Sequence, residues 1–213
     1  RIMRGILEVL DRTSHPVGIV TKSALVARDI DILARMAKRN LAKVAISVTT
    51  MDAKLARTME PRASTPPKRL EALRQLSEAG IPTTVMVAPV IPALNDSEIE
   101  RILDAAAHAG VKEASYVLLR LPLEVRDLFR EWLMANYPDR YRHVFTLIRD
   151  MRDGRDYDSQ WGARMKGTGP MAWMIGRRFE IACEKLGLNK RRSKLTTEHF
   201  ARPPRANEQL ALF

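Results

Sequence analysis

The chain has 213 residues, 46% apolar and 29% charged, an ordinary globular balance with enough length for a core of its own. A formal charge of +11 suits attraction to a polyanion, nucleic acid first among them, or simply a well-solvated basic surface. The single cysteine, Cys183, excludes a disulfide framework and any cluster or zinc site built from several thiolates within these residues; it fits a reducing cytoplasm, and no apolar run is long enough to span a membrane.

The opening run RIMRGILEVLDRT is too short and too charged for a signal peptide. Ile2, Ile6, Leu7 and Leu10 have helical spacing, so residues 1–10 are expected as a helix. A helix that begins uncapped, with no initiator methionine, suggests a piece of something longer. PVGIVTKS (16–23) reads as a strand, and a helix follows near Asp29 to Asn40. Ala42 to Thr50 is the second strand, and after an EPRAST turn a helix from Pro66 to Ala79 stops at Gly80. PTTVMVAPV (82–90) is the third strand. Asn95, Asp96 and Ser97 offer caps for a helix through Ala109, and ASYVLLRL (114–121) is the fourth strand, with a helical region from Leu123.

Strands apolar on both faces and separated by helices imply a parallel sheet, either doubly wound or part of a (β/α) barrel of TIM type. No GxGxxG turn follows any strand, which counts against a dinucleotide fold. In both architectures ligands gather where the strands end. The residues expected at that rim are Lys22 after the first strand, Ser47, Thr49 and Thr50 at the exit of the second, Ala88 and Pro89 at the third, and Arg120 at the fourth. Glu60 and Arg62 follow the second. Lys22 and Arg62 suit a carboxylate, and Glu60 an ammonium or a ribose hydroxyl. The plain alternatives are hydroxyls bonded to backbone in turns, a solvated lysine and a surface ion pair.

Several long stretches carry a resemblance: IVTKSALVARDIDIL, SVTTMDAKLARTMEPRASTPPKRLEALRQLSEAGIP, VMVAPVIPALND, YVLLRLPLEVRDLFREWL and DYDSQWGARMKGTGP. Together, over about residues 1 to 189, they resemble radical S-adenosylmethionine proteins of the spore-photoproduct-lyase-like group. The resemblance implies a partial barrel and a four-iron, four-sulfur cluster that cleaves S-adenosylmethionine to a 5′-deoxyadenosyl radical, with a role in DNA repair. It also implies that Lys22, Ser47, Thr49, Glu60 and Arg62 meet the amino-acid end of that cofactor, and that Val87 to Pro89 and Leu118 to Arg120 meet its adenine side. The family's CxxxCxxC triad is missing, so the chain is expected to be the later portion of an enzyme, inactive and unable to hold the cluster alone. Two competing readings are a Schiff-base aldolase using Lys22 and a basic, non-catalytic module that binds nucleic acid and the DNA sliding clamp.

The expected organisation is βα units over 1–122, a helical extension over 123–188 and a flexible basic tail over 189–213. In the extension, Leu128, Trp132, Tyr141, Phe145 and Ile148 are spaced for packed helices, residues 151–170 read as a long loop, and Gly167 to Pro170 lead into a helix through Leu186 containing a packed Cys183. The final QLALF places Gln209, Leu210, Leu212 and Phe213 in a pattern resembling the pentapeptide that binds the bacterial DNA sliding clamp.

Overall fold

Val44 and Ile46 of one strand, Val48 just past its end, and Val85 and Val87 of the next are almost wholly buried, while the residues between them are mostly half-buried. The period of two means that one face of the sheet is packed under helices and the other is open among the described residues. The computed structural model describes residues 2–202. Its strands are β1 (Val17–Thr21), β2 (Ala42–Ser47), β3 (Thr83–Val90) and β4 (Glu113–Leu118), all parallel and in the spatial order β1-β2-β3-β4. Each strand lies beside the one before it, with no reversal of order. That is an arc of a (β/α) barrel and not a doubly wound sheet, whose order must reverse at a switch point.

The helices are α1 (Ile2–Arg12), α2 (Ile30–Ala37), α3 (Ala53–Met59), α4 (Pro66–Glu78), α5 (Ile99–His108), α6 (Val125–Asn136), α7 (Tyr141–Asp150), α8 (Ala163–Lys166) and α9 (Gly169–Leu186). Short 3-10 turns precede α2 and α5. Leu33 and Met36 of α2, Leu73 and Leu76 of α4, Ile102 and Leu103 of α5, and Ile175 of α9 form one core with the sheet. A second cluster gathers Leu55, Ile91, Leu121, Phe129, Leu133 and Phe145 above the strand exits. No helix among the described residues is long and apolar enough to cross a membrane.

Four local expectations differ from the structure. β2 ends at Ser47, and the residues to Thr50 leave the ladder while staying buried. Ahead of the EPRAST turn the structure adds a helix that had not been expected: Asp52 accepts from the amides of Lys54 and Leu55 and starts α3. Asn95 caps no helix with its side chain, for reasons given below. Leu128 is 62% exposed, because Phe129 and Leu133 take the buried face of α6; Trp132, Tyr141, Phe145 and Ile148 do pack together, and so does Cys183.

The stretch from Asn189, expected as a tail, is tied down as far as Ala201. Its course crosses the strand entries. The Asn189 side chain bonds both the N–H and the C=O of Ala114 on the free edge of β4, Ser193 N–H reaches Glu113, and Thr196 N–H reaches the carbonyl of Asn40. Ala201 N–H then meets the carbonyl of Thr13, and Phe200 packs edge-on against His15. Gln209, Leu210, Leu212 and Phe213 lie outside the described residues, and with them the expected clamp contact.

Candidate functional site at the strand exits

Glu60 lies at the centre of the rim. Its Oε1 is 2.8 Å from Lys22 Nζ and accepts from Thr49 Oγ1 at 2.7 Å; its Oε2 accepts from Arg69 Nη2 at 2.6 Å. Lys22 Nζ also donates to Thr49 Oγ1 and to the carbonyl of Ala88, both at 2.8 Å. Three chain segments therefore converge: Lys22 from the end of β1, Thr49 from the end of β2 and Ala88 from the cis Ala88–Pro89 step in β3. Thr49 and Glu60 are almost enclosed, whereas the Lys22 side chain keeps 36% of its exposure and faces the rim opening.

Arg69 holds the loop behind this cluster. The residue is 1% exposed; its Nη1 donates to the carbonyl of Ser47 at 2.9 Å and its Nε to that of Ser64 at 2.6 Å. Ser64 in turn accepts from the Ala24 amide, so one guanidinium and one hydroxyl fix the Glu60–Ser64 loop against the exits of β1 and β2. Asn95 does the same for β3. Its Oδ1 accepts from Ile91 N–H, and its Nδ2 donates to the carbonyls of Thr49 at 2.7 Å and Pro89 at 3.0 Å. Such fully paired buried groups specify one arrangement.

Burial pushes the Glu60 carboxyl up, but Lys22, Arg69 and Thr49 together outweigh that and hold it below the ordinary glutamate range. Burial also pulls the Lys22 ammonium down, more than its pairing with Glu60 raises it. The result is a preorganised polar rim with one carboxylate and two cations. It suits a small zwitterion, whose ammonium and carboxylate can exchange with these partners.

Of the residues expected from the sequence, Lys22, Thr49, Glu60 and Ala88 are in direct contact; Ser47 joins through its carbonyl on Arg69, and Pro89 through Asn95. Leu119 lies at the neighbouring exit, its N–H on the carbonyl of Val90 and its own carbonyl taken by Arg152. Arg62 stands apart: it is exposed, with no ion pair among the described residues, and Arg69 occupies the place beside Glu60. Arg69 and Asn95 are the site residues that sequence reasoning missed as such. A cleft of about 420 Å³ adjoins Glu60, lined chiefly by apolar atoms of Met51, Ala56, Pro61 and Pro66. A cavity of about 730 Å³ lies elsewhere, along the free edge of β4 under α9, and includes none of these rim residues.

Cys183 lies on the buried face of α9, in the core, and burial pushes its thiol up to about 11. A buried, protonated thiol is not a metal ligand, and no three His, Cys, Asp or Glu among the described residues are grouped to hold a metal ion. These residues do not fit an iron–sulfur cluster.

Residues 2–106 match the profile of the Radical SAM superfamily. An uncharacterized protein of Mycobacterium tuberculosis is 34% identical over 149 residues, covering 68% of this chain and 44% of its own length. An uncharacterized protein of Methanocaldococcus jannaschii is 29% identical over 144 residues, covering 68% and 52%. The chain thus spans about half the length of the curated relatives it matches. Among solved structures, spore photoproduct lyase complexed with a dinucleoside spore photoproduct superposes with a TM-score of 0.60 at 17% identity, covering 87% of this chain and 54% of that one. A cysteine-to-serine mutant of spore photoproduct lyase gives 0.59 over the same coverage. The fold is shared over most of this chain's length, and by the sequence profile over residues 2–106 the chain belongs to the radical SAM superfamily.

Proposed function

We propose that this chain supplies the later βα units of a radical S-adenosylmethionine enzyme and that its rim grips the amino-acid end of that cofactor. Glu60 is the carboxylate for the cofactor's ammonium, with Lys22 as the cation for its carboxylate; Arg69, Ser47, Thr49 and Ala88 fix their positions. Val87 to Pro89 and Leu118 to Leu119 flank the adenine. When bound beside a four-iron, four-sulfur cluster, S-adenosylmethionine supplies one-electron hydrogen abstraction. The cluster's thiolate ligands belong outside these residues, so the chain alone is inactive in this reading. The substrate class we favour is a nucleic-acid lesion. A cytoplasmic setting, with its reducing conditions, accords with a lone unpaired cysteine.

The observation that carries the proposal is the convergence on Glu60 of Lys22 and Thr49 from the exits of β1 and β2 and of Arg69 from α4, in a superfamily whose name states its cofactor. A Schiff base on Lys22 has less support, because its ammonium is already shared among Glu60, Thr49 and the Ala88 carbonyl. Equilibrium dialysis with labelled S-adenosylmethionine tests the proposal. Retention by the wild-type chain and loss in Glu60→Ala are expected; binding unchanged by that substitution would end it.

A further inference from the structure

At the exit of β4 the rim changes chemistry. Arg120 Nη2 donates to Tyr157 Oη at 3.0 Å, with the guanidinium 5.8 Å from the centre of that ring. Arg152, itself buried, donates to the carbonyls of Leu119 and Ala163 and so fixes the 155–163 loop beside the strand exit. From that loop Trp161 projects. It is 86% exposed, next to Gly162 at φ 91°, and the Arg164 guanidinium lies 4.2 Å from its ring centre.

Neither hydrophobic cluster uses this indole. Arg164 supports it without covering it. The same loop is basic: Arg155 is exposed and in no ion pair among the described residues. Asp156 is occupied by Arg130 and Arg149, and Asp158 accepts from the Gln160 amide, which leaves cationic groups in excess. A flat π surface beside unpaired guanidiniums matches a base next to its phosphates. The net charge of +11 has the sign such a partner requires.

We propose that Trp161, backed by Arg164, is a stacking platform for a base of single-stranded or locally opened nucleic acid, and that Arg155 and Arg120 meet the adjacent phosphates. This deepens the substrate class favoured above by naming the residues that engage it, and it rests on that reading only for why a nucleic acid should approach this rim.

The test is binding of a fluorescein-labelled pyrimidine oligonucleotide, followed by anisotropy without S-adenosylmethionine at several salt concentrations. Trp161→Ala is expected to weaken binding roughly tenfold, the size of one lost base stack. Trp173→Ala, on the exposed face of α9, is the control and is expected to bind as the wild type does. Arg155→Ala is expected to flatten the salt dependence. Equal losses in both tryptophan variants, or wild-type affinity in Trp161→Ala, would overturn the proposal. So would a wild-type chain that binds no oligonucleotide. Because the cofactor is left out, either result leaves the S-adenosylmethionine reading to its own dialysis experiment.

Discussion

Arg69 and Glu60 are locked together behind the strand exits, Nη2 to Oε2 at 2.6 Å, with the guanidinium wholly out of solvent and the carboxylate nearly so. Removing one partner of such a pair leaves the other charge uncompensated. Arg69→Met is therefore expected to destabilise the chain by roughly 3–5 kcal/mol, read from urea denaturation. Adding Glu60→Gln should recover part of that loss, because the two sites share one network. Strict additivity of the two substitutions would show that the pair is not coupled.

The same carboxylate sets a pH dependence. Its folded pKa lies below the ordinary glutamate value of 4.5, so its contribution is complete above that value and is lost as pH falls through the folded one. Thermal melts from neutral pH into the acid range should show a decline in the wild type that is shallower in Glu60→Gln. Parallel curves for the two proteins would contradict this assignment.

Gly176 gives a steric test within α9. A Cβ there would lie 2.8 Å from Tyr116 Oη, and Tyr116 is buried against Phe179. Gly176→Ala should thus cost about 1–3 kcal/mol through overpacking, against the helix preference for alanine. On a Tyr116→Phe background the obstructing oxygen is gone, the next ring atom is 3.9 Å away, and the substitution should become neutral or stabilising. Calorimetric Tm values for the four proteins decide it.

Asn189 pairs with the free edge of β4 as a neighbouring strand would, through both backbone groups of Ala114. Asn189→Ala is expected to cost roughly 1–3 kcal/mol and to speed hydrogen exchange at the Ala114 amide. Unaltered protection there would mean that the edge is satisfied without the side chain.

The four strands and the larger helices were legible because apolar residues recur at the periods their packing requires, and glycines such as Gly80 and Gly110 end helices with positive φ. The rim was legible in part for the same reason: once strand ends are placed, Lys22, Thr49 and Ala88 must come near one another. Arg69 was not. It sits in PPKRLEALRQL among charges that read as a solvated helix face, and only the path of α4 beneath β2 turns it inward. Arg62, closer in sequence to Glu60, drew the attention that belonged to it. The course of residues 189–202 was hidden because its anchors are isolated contacts, to Glu113 and Ala114 of β4 and to the carbonyls of Asn40 and Thr13, which leave no period. Asn95 carried a cap's composition, but its amide met three backbone groups of two strand exits.

The central claim is that the Glu60 carboxylate is a docking point for S-adenosylmethionine. Its most direct test is the dissociation constant for that compound, measured by equilibrium dialysis on the wild type, Glu60→Ala and Trp161→Ala. The account predicts retained binding in the wild type and in Trp161→Ala, with at least a roughly tenfold loss in Glu60→Ala, the scale of one charge-assisted bond. Absence of binding by the wild type, or equal affinity in Glu60→Ala, would contradict it.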